Sequence, residues 1–483
     1  MESRKQNFTG ALIALTTLFF MWGFITCMND ILIPFLKKMF ELNRFESMMV
    51  QFSFFTAYFV GSLIYFIISA RKGDPISKIG YKNGLLAGLL IAAFASLLFY
   101  PAAQLQIFAL FLTALFILAL GFTLLQIAAN PYVALLGPPE TASSRLNLSQ
   151  AFNSLGTTLA PIFCGYFVFH FFTKWGKPLF SHSGKPVLTD AGEQLSILGI
   201  QIPYLLFAVL FILLAVLIKY TKLPRVVNPA DVKKGAGALK HSHLVLGMVA
   251  IFLYVGAEVS IGSAFINYVG ELLHYPEMEA KNFLAFYWGG AMIGRFLGAI
   301  SLSSIKPAKK YVYMFFTSIV TFFVIYGIIF LESGGTFAFN RVAPFILFLI
   351  LNYIGFLVGK SLPGRTLTVF ALIVIGLLTT TLLTDGLLAM WTIVGIGLFN
   401  SIMWSNIFTL AIKDLKEDSA QGSSLLVMMI LGGAILPLIQ GAVADALHGY
   451  HYSFFVPIIS YVYLAYYGWK GHIVKPRKVE VKS

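Results

Sequence analysis

Fourteen apolar runs of about 20 residues, parted by short polar stretches, decide what this chain can fold into. A helix needs about that many apolar residues to cross the hydrocarbon core of a bilayer. Of the 483 residues, 58% are hydrophobic and 11% charged, whereas a soluble protein carries about 25% charged residues. The pattern excludes a soluble globular enzyme, a disordered chain and a secreted disulfide scaffold. The first run follows MESRKQNFTG with no small-residue cleavage pattern, so it reads as a first membrane helix and not as a removed signal peptide. The expected fold is that of an all-α polytopic membrane protein with about 14 transmembrane helices.

The net charge of +14 comes from 34 Lys and Arg against 20 Asp and Glu. In a polytopic chain such an excess gathers in cytoplasmic loops, which accounts for it without a nucleic-acid partner. Arg71, Lys72, Lys78 and Lys82 share one such loop, and the basic stretch 222–243 and the tail after Lys470 fall on the same side. The opposite 271–280 loop holds Glu271, Glu277 and Glu279, while Lys37, Lys38 and Arg44 in a short outer loop are exceptions. Both termini are therefore expected in the cytoplasm. The two cysteines, Cys27 and Cys164, lie inside apolar runs, so neither a disulfide nor a Cys-based metal site is expected.

The chain also repeats itself. Gly61 in GSLIYF aligns with Gly294 in GRFLGAI at an offset of 233, which Gly23 and Gly256 share. FNSLGTTLAPIFCG (152–165) aligns with MMILGGAILPLIQG (428–441) at an offset of 276, and Asn130 meets Asn406 in the same register. The offset thus grows by 43 residues between Gly298 and Gly397, about two spans and a turn. The reading is a parallel duplication: an N-terminal six-helix half (1–221), a basic cytoplasmic linker (222–243), and a C-terminal half (244–483) with a helical hairpin inserted at about 305–362. Two parallel six-helix halves joined this way are the architecture of one large class of secondary transporters.

Ionisable groups inside a bilayer are costly, and two stand within the first helix of each half: Asp30 in MWGFITCMNDILIP and Glu258 in FLYVGAEVSIG. A carboxyl in a low-dielectric cavity keeps its proton to higher pH than one in water, so it can load and unload near neutrality. With carbonyls and amides around it, the same group could hold sodium. A buried carboxylic acid that ties two helices together is the plain structural alternative. Arg295, Asp385 and Asp445 sit near helix ends, where snorkelling suffices.

Amides form a second set. Gln126 and Asn130 are four apart, Gln150 and Asn153 three apart, so each pair shares a helix face; Asn29, Asn267, Asn400, Asn406 and Gln440 extend the set into both halves. Amides donate and accept hydrogen bonds, which suits neutral polyhydroxylated molecules. Trp22, Tyr254, Tyr287, Trp288 and Trp404 nearby offer flat faces for a sugar ring. The alternative is that amides glue membrane helices together. In ARKGDPISKIGYKNG, the cations Arg71, Lys78 and Lys82 suggest a gating loop with Asp74 as partner; a purely topogenic role is the alternative. No HExxH occurs, and GFLVGKS (355–361) is one residue short of a P-loop and follows a membrane run. Neither an enzyme, a metal nor a cofactor is expected, and energy must come from an ion gradient if transport is active.

The motifs MNDILIPFL (28–36), AANPYVALLGP (128–138), RLNLSQAFNSLGTTLAPIF (145–163), YVGAEVSIGS (254–263), FYWGGAMIGRFLG (286–298) and GLFNSIMWSNIFTLAI (397–412) cover both halves. On them the chain resembles the fucose–galactose–glucose–proton symporters of the major facilitator superfamily, most closely their bacterial glucose/galactose branch. The resemblance implies a major facilitator fold and secondary active import of a hexose, coupled to a proton, by a monomer in the bacterial inner membrane. It places Asp30 where the family's L-fucose symporter links proton and substrate, and Trp22, Gln150 and Asn153 around the sugar. The glutamate that precedes AANP in that symporter is Gln126 here, and its glutamine stands where this chain has Glu258. That exchange favours hexose over L-fucose.

The resulting expectation assigns Asp30 and Glu258 to cation coupling, with sodium as the alternative to the proton. It assigns Trp22, Asn29, Gln126, Asn130, Gln150, Asn153, Tyr254 and Asn400 to the sugar, and Arg71, Lys78, Lys82 and Arg295 to gating or support. A sugar sensor that does not translocate and a drug-efflux pump are the rivals. The short tails argue against the first, and the wealth of amides argues against the second.

Overall fold

The computed structural model describes residues 8–42, 44–166, 176–181, 183–188, 194–224 and 234–474, without the side chains of 27–34, 44–45, 47–48, 51, 161–166 and 277–278. The first part of the chain forms α1 (Thr9–Phe40), α2 (Arg44–Lys72), the short α3 (Pro75–Ile79), α4 (Tyr81–Leu105), α5 (Phe108–Leu135), α6 (Ala142–Tyr166) and α7 (Leu198–Tyr220). Then follow α8 (Ser242–Leu273), α9 (Glu277–Ser301), α10 (Pro307–Glu332), α11 (Phe345–Gly359) and α12 (Pro363–Leu383). The last are α13 (Gly386–Asn400), α14 (Met403–Ala411), α15 (Ser419–Met428), α16 (Gly432–Ala446), α17 (Tyr450–Ser453) and α18 (Phe455–Tyr466).

Among the described residues, eleven helical runs are long and apolar enough to cross a membrane. The shorter apolar α11, with α6 and α18, brings the correspondence to all fourteen runs of the sequence. The chain is a multi-pass membrane protein. Two runs differ from expectation, since 387–412 and 422–445 each read as a single helix. The first breaks at Ser401–Ile402, between α13 and α14, and the second passes through a tight turn at Met429–Leu431. At the first break the Ser401 hydroxyl donates to the carbonyl of Leu398 at 2.7 Å, a local bond that competes with helix continuation.

The chain divides into two compact units. One comprises Met1–Ile64, Ile79–Pro138 and Arg145–Val226, and the other Tyr65–Lys78, Pro139–Ser144 and Val227–Ser483. Two short segments from the first part of the sequence therefore belong to the second unit, and hydrogen bonds show why. Gly235 N–H donates to the Ala70 carbonyl at 2.8 Å. Gln421 Nε2 donates to Ser69 Oγ at 2.9 Å, and Ser144 Oγ donates to the Ala299 carbonyl at 2.5 Å.

In the first unit α4 packs on α5 and α7, and in the second α12 packs on α13 and α18. The close crossings also recur. A Cβ on Gly156 would collide with the Phe20 carbonyl, and one on Gly432 would collide with the Phe252 carbonyl. Gly61 meets Leu120 and Thr123 of α5, and Gly294 meets Leu398 and Ser401 at the α13–α14 break. Small residues are what let membrane helices approach backbone to backbone, so the glycine pairs aligned by sequence occupy like contacts in each unit.

Helices α10 and α11 are pinned to the second unit at three levels. At one end Lys310 Nζ donates to the Ser301 and Ser303 carbonyls at 2.9 and 3.0 Å and to Ser361 Oγ at 2.9 Å. In the middle Asn352 Nδ2 donates to the Leu398 carbonyl at 3.0 Å. At the far end Arg341 pairs with Glu279, and its guanidinium lies 5.5–5.7 Å from the rings of Phe283, Phe337 and Tyr275. Only 22% of the α10 span is buried against 83% of Gly386–Ala411, which makes α10 peripheral and α13–α14 central. In the first unit the α6–α7 connection carries isolated antiparallel bridges, Pro178 with Ser196 and Phe180 with Pro186. It docks on the end of α1, where Lys38 Nζ reaches the Leu188 carbonyl at 3.1 Å and Ser181 Oγ donates to Glu41 at 3.0 Å.

Candidate functional site

Within the first unit, three helices converge on one polar spot. Tyr58 of α2 is buried, and its hydroxyl is hydrogen-bonded by the side chains of Gln126 on α5 and Trp22 on α1. The Trp22 ring lies 5.6 Å from that of Phe19 and 6.4 Å from that of Phe122, so its flat face is framed by aromatics. Asn153 of α6 donates through Nδ2 to the Phe19 carbonyl at 2.9 Å, one turn before Trp22. Trp22, Gln126 and Asn153, singled out by sequence, thus gather around α1, and Tyr58 joins them. Tyr58 is not among the expected residues; nothing in its local sequence, FFTAYFVG, sets it apart from the aromatics that face lipid.

Gln150 is buried on the same helix as Asn153. Asn130 is fully buried, and neither polar atom of its amide has a hydrogen-bond partner. Its repeat counterpart Asn406, by contrast, donates to the Pro363 carbonyl at 3.1 Å. Asn29 and Asp30 lie on α1 outside the residues whose side chains are described.

The second unit holds a tighter network around Glu258, which is buried near the middle of α8. Its Oε1 has no hydrogen-bond partner. The Tyr254 hydroxyl, one turn earlier, and the Arg295 guanidinium of α9 both act on the carboxyl. Tyr287 of α9 donates to the Glu258 backbone carbonyl at 2.9 Å. Asn400 is the hub: Nδ2 donates to the Tyr287 hydroxyl at 2.9 Å and Oδ1 accepts the Tyr461 hydroxyl at 2.7 Å. Its backbone carbonyl accepts Tyr254 at 3.2 Å.

The sequence places Asn400 and Tyr254 at the sugar; in the structure the amide of Asn400 bonds Tyr287 and Tyr461, and the Tyr254 hydroxyl donates to the Asn400 carbonyl. Tyr461 escapes the sequence reading because it stands 61 residues from Asn400 in an ordinary aromatic run. Nearby, Gln440 of α16 accepts Ser260 of α8 and donates to Ser453 Oγ at 3.2 Å.

The expected gating loop is also arranged differently. Asp74 is buried, and its carboxylate accepts the Tyr65 hydroxyl at 3.0 Å, Ser69 Oγ at 3.3 Å and Ser77 N–H at 2.8 Å. Arg71, Lys78 and Lys82 are not its partners: Lys78 turns to the Lys72 carbonyl and Lys82 to the Thr221 carbonyl at 2.9 Å, while Arg71 is exposed. Burial raises the Asp74 carboxyl above the usual carboxylate range, and the hydrogen bonds from Ser77, Tyr65 and Ser69 oppose that shift. Arg295, the fourth residue of the gating set, donates through Nε to the Ser401 carbonyl at 3.2 Å, where it supports the α13–α14 break.

The sequence profile of the Major Facilitator Superfamily matches residues 11–359. A glucose/galactose transporter of Brucella abortus is 42% identical over 474 residues, covering 97% of this chain and 96% of that protein. An L-fucose-proton symporter of Escherichia coli is 31% identical over 464 residues, covering 92% and 89%. The crystal structure of a single-substitution variant of the E. coli fucose:proton symporter superposes with a TM-score of 0.72 at 27% identity, covering 95% of this chain and 98% of that one.

Proposed function

The chain belongs to the major facilitator superfamily, and from that premise we propose that it imports glucose or galactose by proton-coupled symport through alternating access. The observation that carries this reading is the 42% identity, sustained over 97% of the chain, to a protein named a glucose/galactose transporter. The chemistry of the residues agrees with it. Trp22, Gln126, Gln150 and Asn153 supply an aromatic face and amides that can trade hydrogen bonds with sugar hydroxyls. Tyr58 holds the Trp22 and Gln126 side chains in register, so it belongs to the same site.

Glu258 is the proton-carrying group in this reading, because burial favours its neutral form while a nearby arginine and tyrosine favour the charged one. Asp30 keeps the second coupling role that the family resemblance gives it. The distribution of Lys and Arg supports an orientation with both termini in the cytoplasm, and the family resemblance points to the bacterial inner membrane. The transporting unit is a monomer, with no cofactor besides the coupling ion. Uptake of labelled glucose, galactose and L-fucose into proteoliposomes tests this, under an inward proton gradient, an inward sodium gradient or none. Hexose accumulation driven by protons alone is the expected result. Accumulation driven by sodium alone would reassign the ion, and no uptake of any sugar would sink the reading.

A further inference from the structure

Lys310 joins segments that are far apart in sequence. Its bonds to the Ser301 and Ser303 carbonyls and to Ser361 Oγ set the turn before α10 beside the turn between α11 and α12. A second contact brings the turn after α18 (Tyr467–Gly471) to the same end, since a Cβ on Gly364 would collide with His472 and the Gly468 carbonyl. Three segments of the second unit therefore share one surface, where α10 and α12 begin.

They carry five cations to it. Lys306, Lys309, Lys360, Arg365 and Lys470 are all exposed, whereas the buried Lys310 spends its N–H groups on protein. No Asp or Glu occurs at 296–331, 333–384 or 446–479. Among the described residues, no carboxylate forms a salt bridge with any of the five. Other basic stretches are mixed: Asp74 lies among Arg71, Lys78 and Lys82, and Asp414 and Glu417 lie beside Lys413 and Lys416. Acidic residues contribute little to membrane orientation, so orientation alone does not require a patch free of them. Exposed rings flank the cations. Tyr311 and Tyr313 follow along α10, and Lys470 Nζ lies 4.1 Å from the Trp469 ring centroid. Tyr and Trp settle at the headgroup level of a bilayer, which puts the patch at the depth of the lipid phosphates.

We propose that this patch binds an anionic phospholipid, with its phosphate among Lys306, Lys309, Lys360 and Arg365 and its acyl chains along the exposed apolar face of α10. Charge complementarity carries the assignment: basic pockets between membrane helices take such headgroups. Arg365 can hold a phosphate through two N–H bonds, and the lysines act as point charges. Val312, Phe315, Phe316 and Ile319 offer the apolar surface for the chains. The lipid ties α10 to α12 from outside at the end that Lys310 ties from inside. The site is independent of the sugar and of the coupling ion.

Native mass spectrometry of the full chain in detergent tests this, with phosphatidylglycerol, cardiolipin, phosphatidylethanolamine and inorganic phosphate titrated separately. The two anionic lipids are expected to bind more tightly than phosphatidylethanolamine. A cation near an anionic lipid surface contributes about fivefold. The variant carrying Lys306→Gln, Lys309→Gln, Lys360→Gln and Arg365→Gln should therefore lose at least about a hundredfold in affinity for the anionic lipid. A control carrying Lys219→Gln, Lys222→Gln, Lys234→Gln and Lys240→Gln should bind as wild type does. Lys306→Arg, Lys309→Arg and Lys360→Arg together keep the charges and should keep the lipid, which separates lost charge from a damaged fold. Equal losses in the two Gln variants would mean diffuse attraction and overturn the site. Phosphatidylethanolamine bound as tightly as the anionic lipids would also overturn it. Inorganic phosphate bound as tightly as lipid would give the patch to a soluble anion and overturn the lipid assignment.

Discussion

Asn400 and Tyr461 offer a clean energetic test of the network in the second unit. Asn400→Leu keeps the branched heavy-atom shape but removes the acceptor of the 2.7 Å bond from Tyr461 and the donor of the 2.9 Å bond to Tyr287. The Tyr461 hydroxyl is then stranded in a buried position, a penalty of about 1–3 kcal/mol. The Tyr287 hydroxyl still donates to the Glu258 carbonyl, so its loss is smaller, about 0.5–1 kcal/mol. Tyr461→Phe strands Asn400 Oδ1 instead, with a similar penalty of about 1–3 kcal/mol. The double variant strands neither partner of the shared bond, so it should be less destabilised than the sum of the singles. Coupling between hydrogen-bonded side chains in membrane proteins averages about 0.6 kcal/mol and reaches about 1.7. A short bond between fully buried groups belongs toward the upper part of that range, at about 1–1.5 kcal/mol. Unfolding titrated with SDS in mixed micelles measures all four proteins. Strict additivity, within about 0.3 kcal/mol, would refute the bond. A sugar affinity reduced by Asn400→Leu but untouched by Tyr461→Phe would place Asn400 at the sugar.

Three further outcomes follow from particular contacts. The folded-state carboxyl of Asp74 is raised by burial, so the stability it contributes is fully present below its unfolded value of about 4 and is lost as pH rises through the folded value. Melting temperatures between pH 4 and 8 should therefore fall more for wild type than for Asp74→Asn, and parallel curves would contradict this. Arg341→Lys keeps the charge opposite Glu279 but not the planar group over three rings; a loss of about 1 kcal/mol should appear as faster proteolysis within 333–344. Gly156→Ala and Gly432→Ala each drive a methyl into a facing carbonyl, whereas Gly10→Ala meets nothing within 4 Å. The first two should lower stability by about 1–3 kcal/mol and the third should not, as thermal melts will show.

The large plan of the molecule is open to sequence reasoning because membrane physics leaves few choices. Span length follows from bilayer thickness, and the glycine pairs Gly156/Gly432 and Gly61/Gly294 are legible because close helix crossings tolerate nothing larger. Glu258 stands out for the same reason, a charge in an apolar run. What stays hidden depends on partners distant in sequence. The Asn400 amide stands out in the sequence, but its bonds to Tyr287 and Tyr461 do not. Tyr58 looks like one more aromatic until α1 and α5 bring Trp22 and Gln126 to its hydroxyl. Asp74 invites pairing with nearby cations, but Tyr65, Ser69 and Ser77 reach it first, and a buried carboxylate surrounded by short-range donors leaves the lysines to backbone carbonyls. The α13–α14 break is invisible in the sequence because its hydropathy is continuous and only its hydrogen bonds are not.

The most direct test of the account compares wild type with Glu258→Gln in proteoliposomes, measuring sugar accumulation under an inward proton gradient and exchange of labelled for unlabelled sugar without one. The account predicts that Glu258→Gln exchanges hexose at close to the wild-type rate and accumulates none. Accumulation by Glu258→Gln equal to wild type would contradict it.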